Sequence, residues 1–219
     1  MKPNEFLICL DAGHGGLRPG VGPDKYTTYP SKYFHHKQGN FHSYGWFYEG
    51  VFNRSLATYL QNYLLDYGFL VKKIYEDIND ISLNKRCQLA NSYKALAKSS
   101  ILVSIHGNAA ESTKARGWEI FTTIGETKAD KLATCIGNEV IKATPGWVHR
   151  KDLTDGDLDR EANFQIIKNT KMPAVLSENG FFTNYQDALL MIDKEWQETI
   201  AKAHAKGILE YAILNGVEW

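Results

Sequence analysis

The hydrophobic positions along the chain fall into two kinds of run, short solid blocks and longer stretches with helical spacing, separated by glycine, proline or polar clusters. The first solid block covers residues 6–10, stops at Asp11 and opens into Ala12-Gly13-His14-Gly15-Gly16. Half a dozen apolar residues suit a buried strand, and glycines on both sides of His14 let the backbone turn and leave the imidazole accessible. The device recurs: Ile101-Leu102-Val103-Ser104-Ile105 ends on His106-Gly107-Asn108, and Pro173-Ala174-Val175-Leu176-Ser177 ends on Glu178-Asn179-Gly180. Residues 69–75 and 117–123 read as two further strands.

Between these blocks the spacing is helical. From Glu49 onward Phe52, Leu56, Leu60, Tyr63, Leu64 and Tyr67 recur three or four apart, and Gly68 supplies the stop. Ser82 caps a helix predicted to reach about Lys98, with Leu83, Cys87, Ala90, Tyr93, Leu96 and Ala97 turned inward. Thr127 with Asp130 resembles a capping box for a helix carrying Leu132, Ile136, Val140 and Ile141, ended by Pro145-Gly146. Residues 164–167 are a short apolar piece of unassigned type. Two amphipathic helices close the chain, one begun near Thr183 or Asn184 and one near Asp193, the latter with Trp196, Ile200, His204, Ile208 and Tyr211 along one stripe. His204 is read as a core histidine. The alternation predicts an α/β fold: an open, twisted, mostly parallel sheet with helices on both faces, consecutive strands parallel and joined by right-handed crossovers. Ligands of such sheets collect outside the carboxyl ends of the strands, the edge to which His14, His106 and Glu178 are assigned.

Two segments break the pattern. Residues 17–48 carry seven scattered glycines and prolines together with Tyr26, Tyr29, Tyr33, Phe34, Phe41, Tyr44, Trp46, Phe47 and Tyr48, and are predicted to be mostly loop. A loop of that length is uncommon unless it is functional, and so many rings dock onto the body of the protein, line a substrate groove, or do both. Residues 150–159 read as a solvated acidic loop holding Asp152, Asp155, Asp157 and Asp159; no glycine and bidentate acid stand in register for a twelve-residue calcium loop.

Composition narrows the field. A chain of 219 residues suits a single domain, 1–219, with an aromatic-rich insertion at about 17–48. Twenty-five basic and twenty-five acidic side chains cancel, which argues against nucleic acid or an anionic membrane as partner. Cys9, Cys87 and Cys135 are odd in number, far apart and set among apolar residues, so they read as reduced core thiols. No stretch reads as a secretory leader or a membrane span, so synthesis in the cytoplasm without a signal peptide is the expectation. The oligomeric state is left open.

The chemistry lies in the repeated histidines. Catalytic zinc commonly takes three protein ligands, histidine nitrogens and a carboxylate oxygen among them, and keeps a fourth position for water. His14 and His106 at strand ends, with one acid, would make such a set. Glu49 is the leading acid because it opens the helix after the first histidine loop; Asp11 is its rival, three residues from His14, or else holds a ligand ring or a loop amide. Glu178 follows a solid apolar strand, where a charge is costly unless a site uses it or the next helix needs a cap. In a zinc site it could take a proton from water and pass it to a leaving amine.

Four blocks then carry a resemblance: Leu10-Asp11-Ala12-Gly13-His14-Gly15-Gly16, Glu49 with Asn53, Ser104-Ile105-His106-Gly107-Asn108-Ala109, and Met172 through Asn184. In this order they resemble the zinc-dependent N-acetylmuramoyl-L-alanine amidases, the catalytic domains found in autolysins and phage endolysins. The resemblance implies that His14, Glu49 and His106 bind Zn2+ and that Glu178 is general base and acid. It places Asn53, Asn108 and Asn179, with Asp11, as residues that support the ligands or touch substrate. It implies cleavage of peptidoglycan between N-acetylmuramic acid and the first alanine of the stem peptide, by a lytic enzyme of phage or prophage type reaching the wall after lysis or with a holin-type partner, or by a recycling or remodelling amidase. The insertion departs from the family's shorter loop. An inactive peptidoglycan-binding module and a zinc peptidase cutting within the stem peptide are the rival readings.

Overall fold

A computed structural model gives the structure of the chain and describes residues 1–154 and 156–219. The solid apolar blocks become the strands of one sheet. In chain order the elements are β1 (Phe6–Ala12), β2 (Tyr33–His35), β3 (Trp46–Tyr48), α1 (Glu49–Asp66), β4 (Leu70–Lys73), α2 (Leu83–Tyr93), β5 (Ser99–Asn108), β6 (Trp118–Thr122), α3 (Lys128–Ala143), β7 (Arg160–Glu161), α4 (Gln165–Lys168), β8 (Ala174–Phe181), α5 (Tyr185–Ile192) and α6 (Lys194–Leu214). Six strands form a sheet in the order β4-β1-β5-β8-β6-β7, and β2 and β3 pair separately as a small antiparallel ribbon.

Strands β4, β1, β5 and β8 run parallel, with Ile8 beside Ile101 and His106 beside Glu178. The expectation that every consecutive strand runs parallel fails at β6, which is antiparallel to β8 with Glu119 beside Glu178. The cause is legible in the connection. Only nine residues, 109–117, separate β5 from β6, and a parallel return needs a crossover of a dozen or more. Strand β7 then pairs parallel to β6, Phe121 beside Arg160.

Each face of the sheet has its own core. Ile8, Leu10, Val103, Ile105 and Val175 pack against Phe52, Leu56 and Leu60 of α1, Leu132 and Ile136 of α3, and Ile200 and Ile208 of α6. Leu7, Cys9, Leu102, Ala174 and Leu176 face the thinner layer of Cys87 and Ala90 on α2 and Ile166 and Ile167 on α4. All three cysteines are free and buried. No helix among the described residues is long and apolar enough to cross a membrane.

Several local expectations hold and several move. Ser82, Thr127, Asn184 and Asp193 are the N-caps of α2, α3, α5 and α6, and Thr127 with Asp130 closes a full capping box. Helix α2 ends at Tyr93 and passes into a 3-10 turn, so the α-period stops there: Leu96 is exposed, and Leu83, the first residue of the helix, is exposed at the rim of a cleft. Residues 17–48 hold more structure than a loop. Tyr26, Phe41, Phe47 and Tyr48 are buried, and Phe47 stacks on Phe182 at 5.7 Å between centroids. In the acidic loop Asp159 is buried rather than solvated and accepts a 2.5 Å hydrogen bond from Thr122 Oγ1, while Asp155 lies outside the described residues.

Candidate metal centre and active site

Three side chains from three elements converge at one end of the sheet. His14 leaves the turn after β1, His106 projects from β5, and Glu49 is the first residue of α1. Glu49 Oε1 lies 3.2 Å from His14 Nε2 and 3.0 Å from His106 Nδ1, and the two imidazoles stand nearly perpendicular, 5.1 Å apart. One donor atom from each residue falls within 4.8 Å of the others, a grouping able to hold a metal ion. The donor chemistry suits zinc: two imidazole nitrogens and one carboxylate oxygen. Glu49 is 1% exposed, and its second oxygen, Oε2, is buried with no hydrogen-bond partner among the described residues. Burial pushes its pKa up, but His14 and His106 outweigh that and hold the carboxyl well below the usual carboxylate range.

The turn that presents His14 is held by its carbonyls. His14 has φ of 61°, the left-handed region, which costs a residue with a side chain about 1–2 kcal/mol. Asn53 Nδ2 donates to Gly13 O at 3.0 Å, and Arg54 and Arg86 each donate to His14 O at 2.8 Å. Arg86 also reaches Ala12 O at 2.7 Å and is paired with Asp11 at 2.6 Å. Asp11 is therefore no ligand. It is buried, bound by Arg86 and by Ser104 Oγ at 2.7 Å, and supports the histidine turn through the arginine. Gly13 has to be glycine, because a Cβ there would overlap the His106 ring.

Glu178 is placed inside β8 rather than at its end, directly beside His106 of β5. Paired residues on neighbouring strands project to the same face, so the acid shares a row with a histidine of the cluster. Its Oε2 is buried without a partner among the described residues, and burial, with smaller contributions from Glu49 and Glu119, raises its pKa to about 8 against the opposing pull of His106 and Lys32. The helix cap it was weighed against is supplied instead by Asn184.

The three asparagines do different work. Asn53 also lies 3.3 Å from Glu49 Oε1. Asn179, on the opposite face, donates to the carbonyls of His106 and Ser177 at 3.2 and 2.9 Å and so braces β5 behind His106. Asn108 donates to Glu119 Oε1 at 2.5 Å, away from the three-residue cluster. Sequence reasoning missed Arg54, Arg86 and Glu119. Arg86 lies four residues after the Ser82 cap, on the inward side of its helix, and Glu119 sits between Trp118 and Ile120 in a strand; polar residues at apolar positions were the available signals. A cleft of about 360 Å³ opens beside the cluster, lined by Gly13, His14, Ile81, Leu83, Arg86 and His106.

Comparison with known proteins agrees with this geometry. Residues 8–210 match the N-acetylmuramoyl-L-alanine amidase family, and the chain belongs to it. It is 28% identical over 211 residues to the probable cell wall amidase LytH of Staphylococcus aureus, which covers 96% of this chain and 57% of that protein, so the chain spans little more than half the length of that relative. An N-acetylmuramoyl-L-alanine amidase from Clostridium difficile 630 superposes with a TM-score of 0.72 at 26% identity, covering 97% of this chain and 100% of that one. The catalytic domain of CwlV, an amidase from Bacillus (Paenibacillus) polymyxa var. colistinus, gives 0.68 at 26% identity over 97% and 99%. The chain is thus an α/β member of the N-acetylmuramoyl-L-alanine amidase family, with its histidine and glutamate cluster at the carboxyl ends of β1 and β5.

Proposed function

We propose that the protein is a zinc-dependent amidase acting on the cell wall, which hydrolyses the amide between N-acetylmuramic acid and the L-alanine of the stem peptide. In this reading residues 1–219 act as one catalytic domain, and the 17–48 insertion borders the substrate groove. The observation that carries it is the row formed by Glu49, His106 and Glu178: a buried carboxylate between two imidazoles, with a second, half-buried acid one strand away. His14, Glu49 and His106 would hold the ion. When bound, zinc lowers the pKa of a water to about 7 and polarises the scissile carbonyl.

The chain's own residues supply the rest. Glu178 takes the proton of the attacking water and delivers it to the leaving nitrogen, so that alanine departs as a neutral amine. Burial disfavours the carboxylate form of Glu178, which helps it hold that proton between the two transfers. Asn53, Arg54 and Arg86 fix the histidine turn by its carbonyls, and Asn179 fixes the backbone of His106 from behind. The ligand geometry is therefore set by buried hydrogen bonds.

Digestion of purified peptidoglycan tests the reading. Release of amino-terminal L-alanine, by protein carrying close to one equivalent of zinc, is the expected result. A different exposed amine would make it a peptidase, and wall binding without release would make it a binding module.

A further inference from the structure

Beyond Glu178 the row continues into a charged group that the chemistry above does not use. Glu119 stands beside Glu178 on β6 and is 5% exposed. Its Oε2 is met by two cations, Arg150 Nε at 3.1 Å and Arg160 Nη1 at 3.3 Å, and its Oε1 by Asn108. We propose that Arg150 and Arg160, held on Glu119, form a subsite for a carboxylate on the peptide that leaves when the amide is cut. The inference rests on the amidase reading and deepens it by giving the site a preference for acidic stem peptides and a direction along which they bind.

Charge is the first argument. Two guanidinium groups face one carboxylate, leaving one positive charge in excess, and Glu119 is the only carboxylate among the described residues that pairs with either. Here each arginine gives one N–H to the same oxygen and keeps the rest of its five donors, on side chains that are 38% and 41% exposed. Planar, half-exposed guanidinium groups already anchored on one side suit a second carboxylate on the other.

The pair is also held in place. Arg150 lies over the ring of Phe181 at 5.2 Å and Arg160 over that of Phe121 at 5.9 Å, so each cation rests on an aromatic neighbour. The Arg150 amide donates to Trp118 O at 2.8 Å, and Arg160 is paired with Phe121 in the sheet.

Distance is the third argument. Neighbouring strands lie about 4.8 Å apart, so Glu119 stands roughly one strand from Glu178 and roughly two from His106. An extended peptide advances about 3.3–3.6 Å per residue. With the leaving nitrogen at Glu178, the residue after the new amino terminus reaches the arginines. The uncharged sugar then extends the other way, into the cleft lined by Ile81 and Leu83.

Muramoyl-peptides that differ only in a carboxylate or a carboxamide on the second residue test this directly. The parent protein should cleave the carboxylate form with a kcat/KM at least tenfold higher, the difference lying mainly in KM. Arg150→Gln and Arg160→Gln should each shrink that ratio, and Arg150→Lys should keep more of it than Arg150→Gln. Should the single variants fail to fold, because Glu119 is left buried with one cation fewer, the Glu119→Gln/Arg150→Gln/Arg160→Gln variant leaves no buried charge in this cluster and should show a ratio near one. Calorimetry on the parent should likewise find L-alanyl-D-glutamate binding more tightly than L-alanyl-D-isoglutamine. A parent that cleaves both substrates alike, or a ratio that survives the substitutions, overturns the subsite while leaving the amidase intact. A parent that releases no alanine from either substrate removes the amidase reading and the subsite with it.

Discussion

Single residues at this site are held in states that would be unfavourable elsewhere. His14 occupies left-handed backbone, Glu49 is charged under full burial, and Glu178 is a half-buried acid, one of its oxygens closed off from solvent, near two others. Each is stabilised differently. The His14 turn is gripped by Arg54, Arg86 and Asn53, and Glu49 is offset by two imidazoles, whereas Glu178 has no cation in hydrogen-bond contact and responds by holding its proton more tightly. This separates the expected behaviour of two substitutions. Glu178→Gln keeps the size of the side chain and removes its repulsion from Glu49 and Glu119, so the variant should keep its zinc and melt at or slightly above the parent temperature. Its turnover should fall by about 10² to 10⁴, the usual contribution of a positioned general base. His106→Ala removes a ligand, so it should lose metal, activity and melting temperature together, since metal bound only by the folded state adds to stability. Zinc content, melting curves and muropeptide release measured side by side decide the matter: a Glu178→Gln protein that turns over normally ends the proposed role, and one that loses zinc makes the acid a ligand.

At the scale of elements, the insertion at residues 17–48 is the piece that couples distant parts of the site. It supplies partners for the unsatisfied amides at the start of α1: Lys32 O accepts from Glu49 N at 3.0 Å and Tyr26 Oη from Gly50 N at 2.9 Å. Thr28 Oγ1 accepts from Gly15 N at 2.8 Å, next to the other end of the ligand set. The segment therefore positions Glu49 against His14. Tyr26→Phe deletes one hydroxyl and strands a buried amide, which should cost about 1–3 kcal/mol of stability and weaken zinc retention in a chelator competition; Tyr29→Ala, at an exposed ring, should leave retention unchanged. Equal retention in Tyr26→Phe and the parent would reduce the segment to packing alone. This coupling was not legible in the sequence, because the partners of Glu49 and Gly50 lie 17 and 24 residues before them with no periodic signal between. The histidines and Glu178 were legible, since a charged or ionisable group at the end of a solid apolar strand stands out by its cost. Asp11 misled by proximity in the chain: a residue three positions from His14 in a strand and turn need not face the same ligand, and its true partner, Arg86, is 75 residues away. Glu119 and its arginines were hidden for the same reason, being 31 and 41 residues apart.

Across the whole molecule the sheet is covered unequally, and the consequences appear on both faces. The face under α2 and the single turn of α4 leaves the carboxyl ends of β5 and β8 and the amino end of β6 partly open, and His106, Glu178 and Glu119 stand there. The other face lies under α1, α3 and α6 and buries a polar chain of its own. Trp118 Nε1 donates to Ser177 Oγ at 2.9 Å, the Ser177 hydroxyl donates to His204 Nε2 at 2.8 Å, and His204 Nδ1 donates to Ile200 O at 2.8 Å. The imidazole is thus neutral with its proton on Nδ1, and burial lowers its pKa from 6.5 to about 4. The sign of the pH effect follows. Below 6.5 the unfolded chain takes up a proton at this position while the folded protein refuses one until about 4, so stability falls as pH drops through that window and levels off beneath it. At about 1.4 kcal/mol per pH unit the loss amounts to roughly 3 kcal/mol. His204→Gln can accept from Ser177 but does not titrate; it should be somewhat less stable than the parent at pH 7 and lose less on acidification. Urea midpoints for both proteins, stripped of metal and measured at several values between pH 7 and 4, isolate the effect, because His14, His106 and every carboxylate contribute to both curves. A parent and variant with the same pH slope would show that the acid sensitivity resides elsewhere and that the chain from Trp118 to Ile200 accommodates a charged ring.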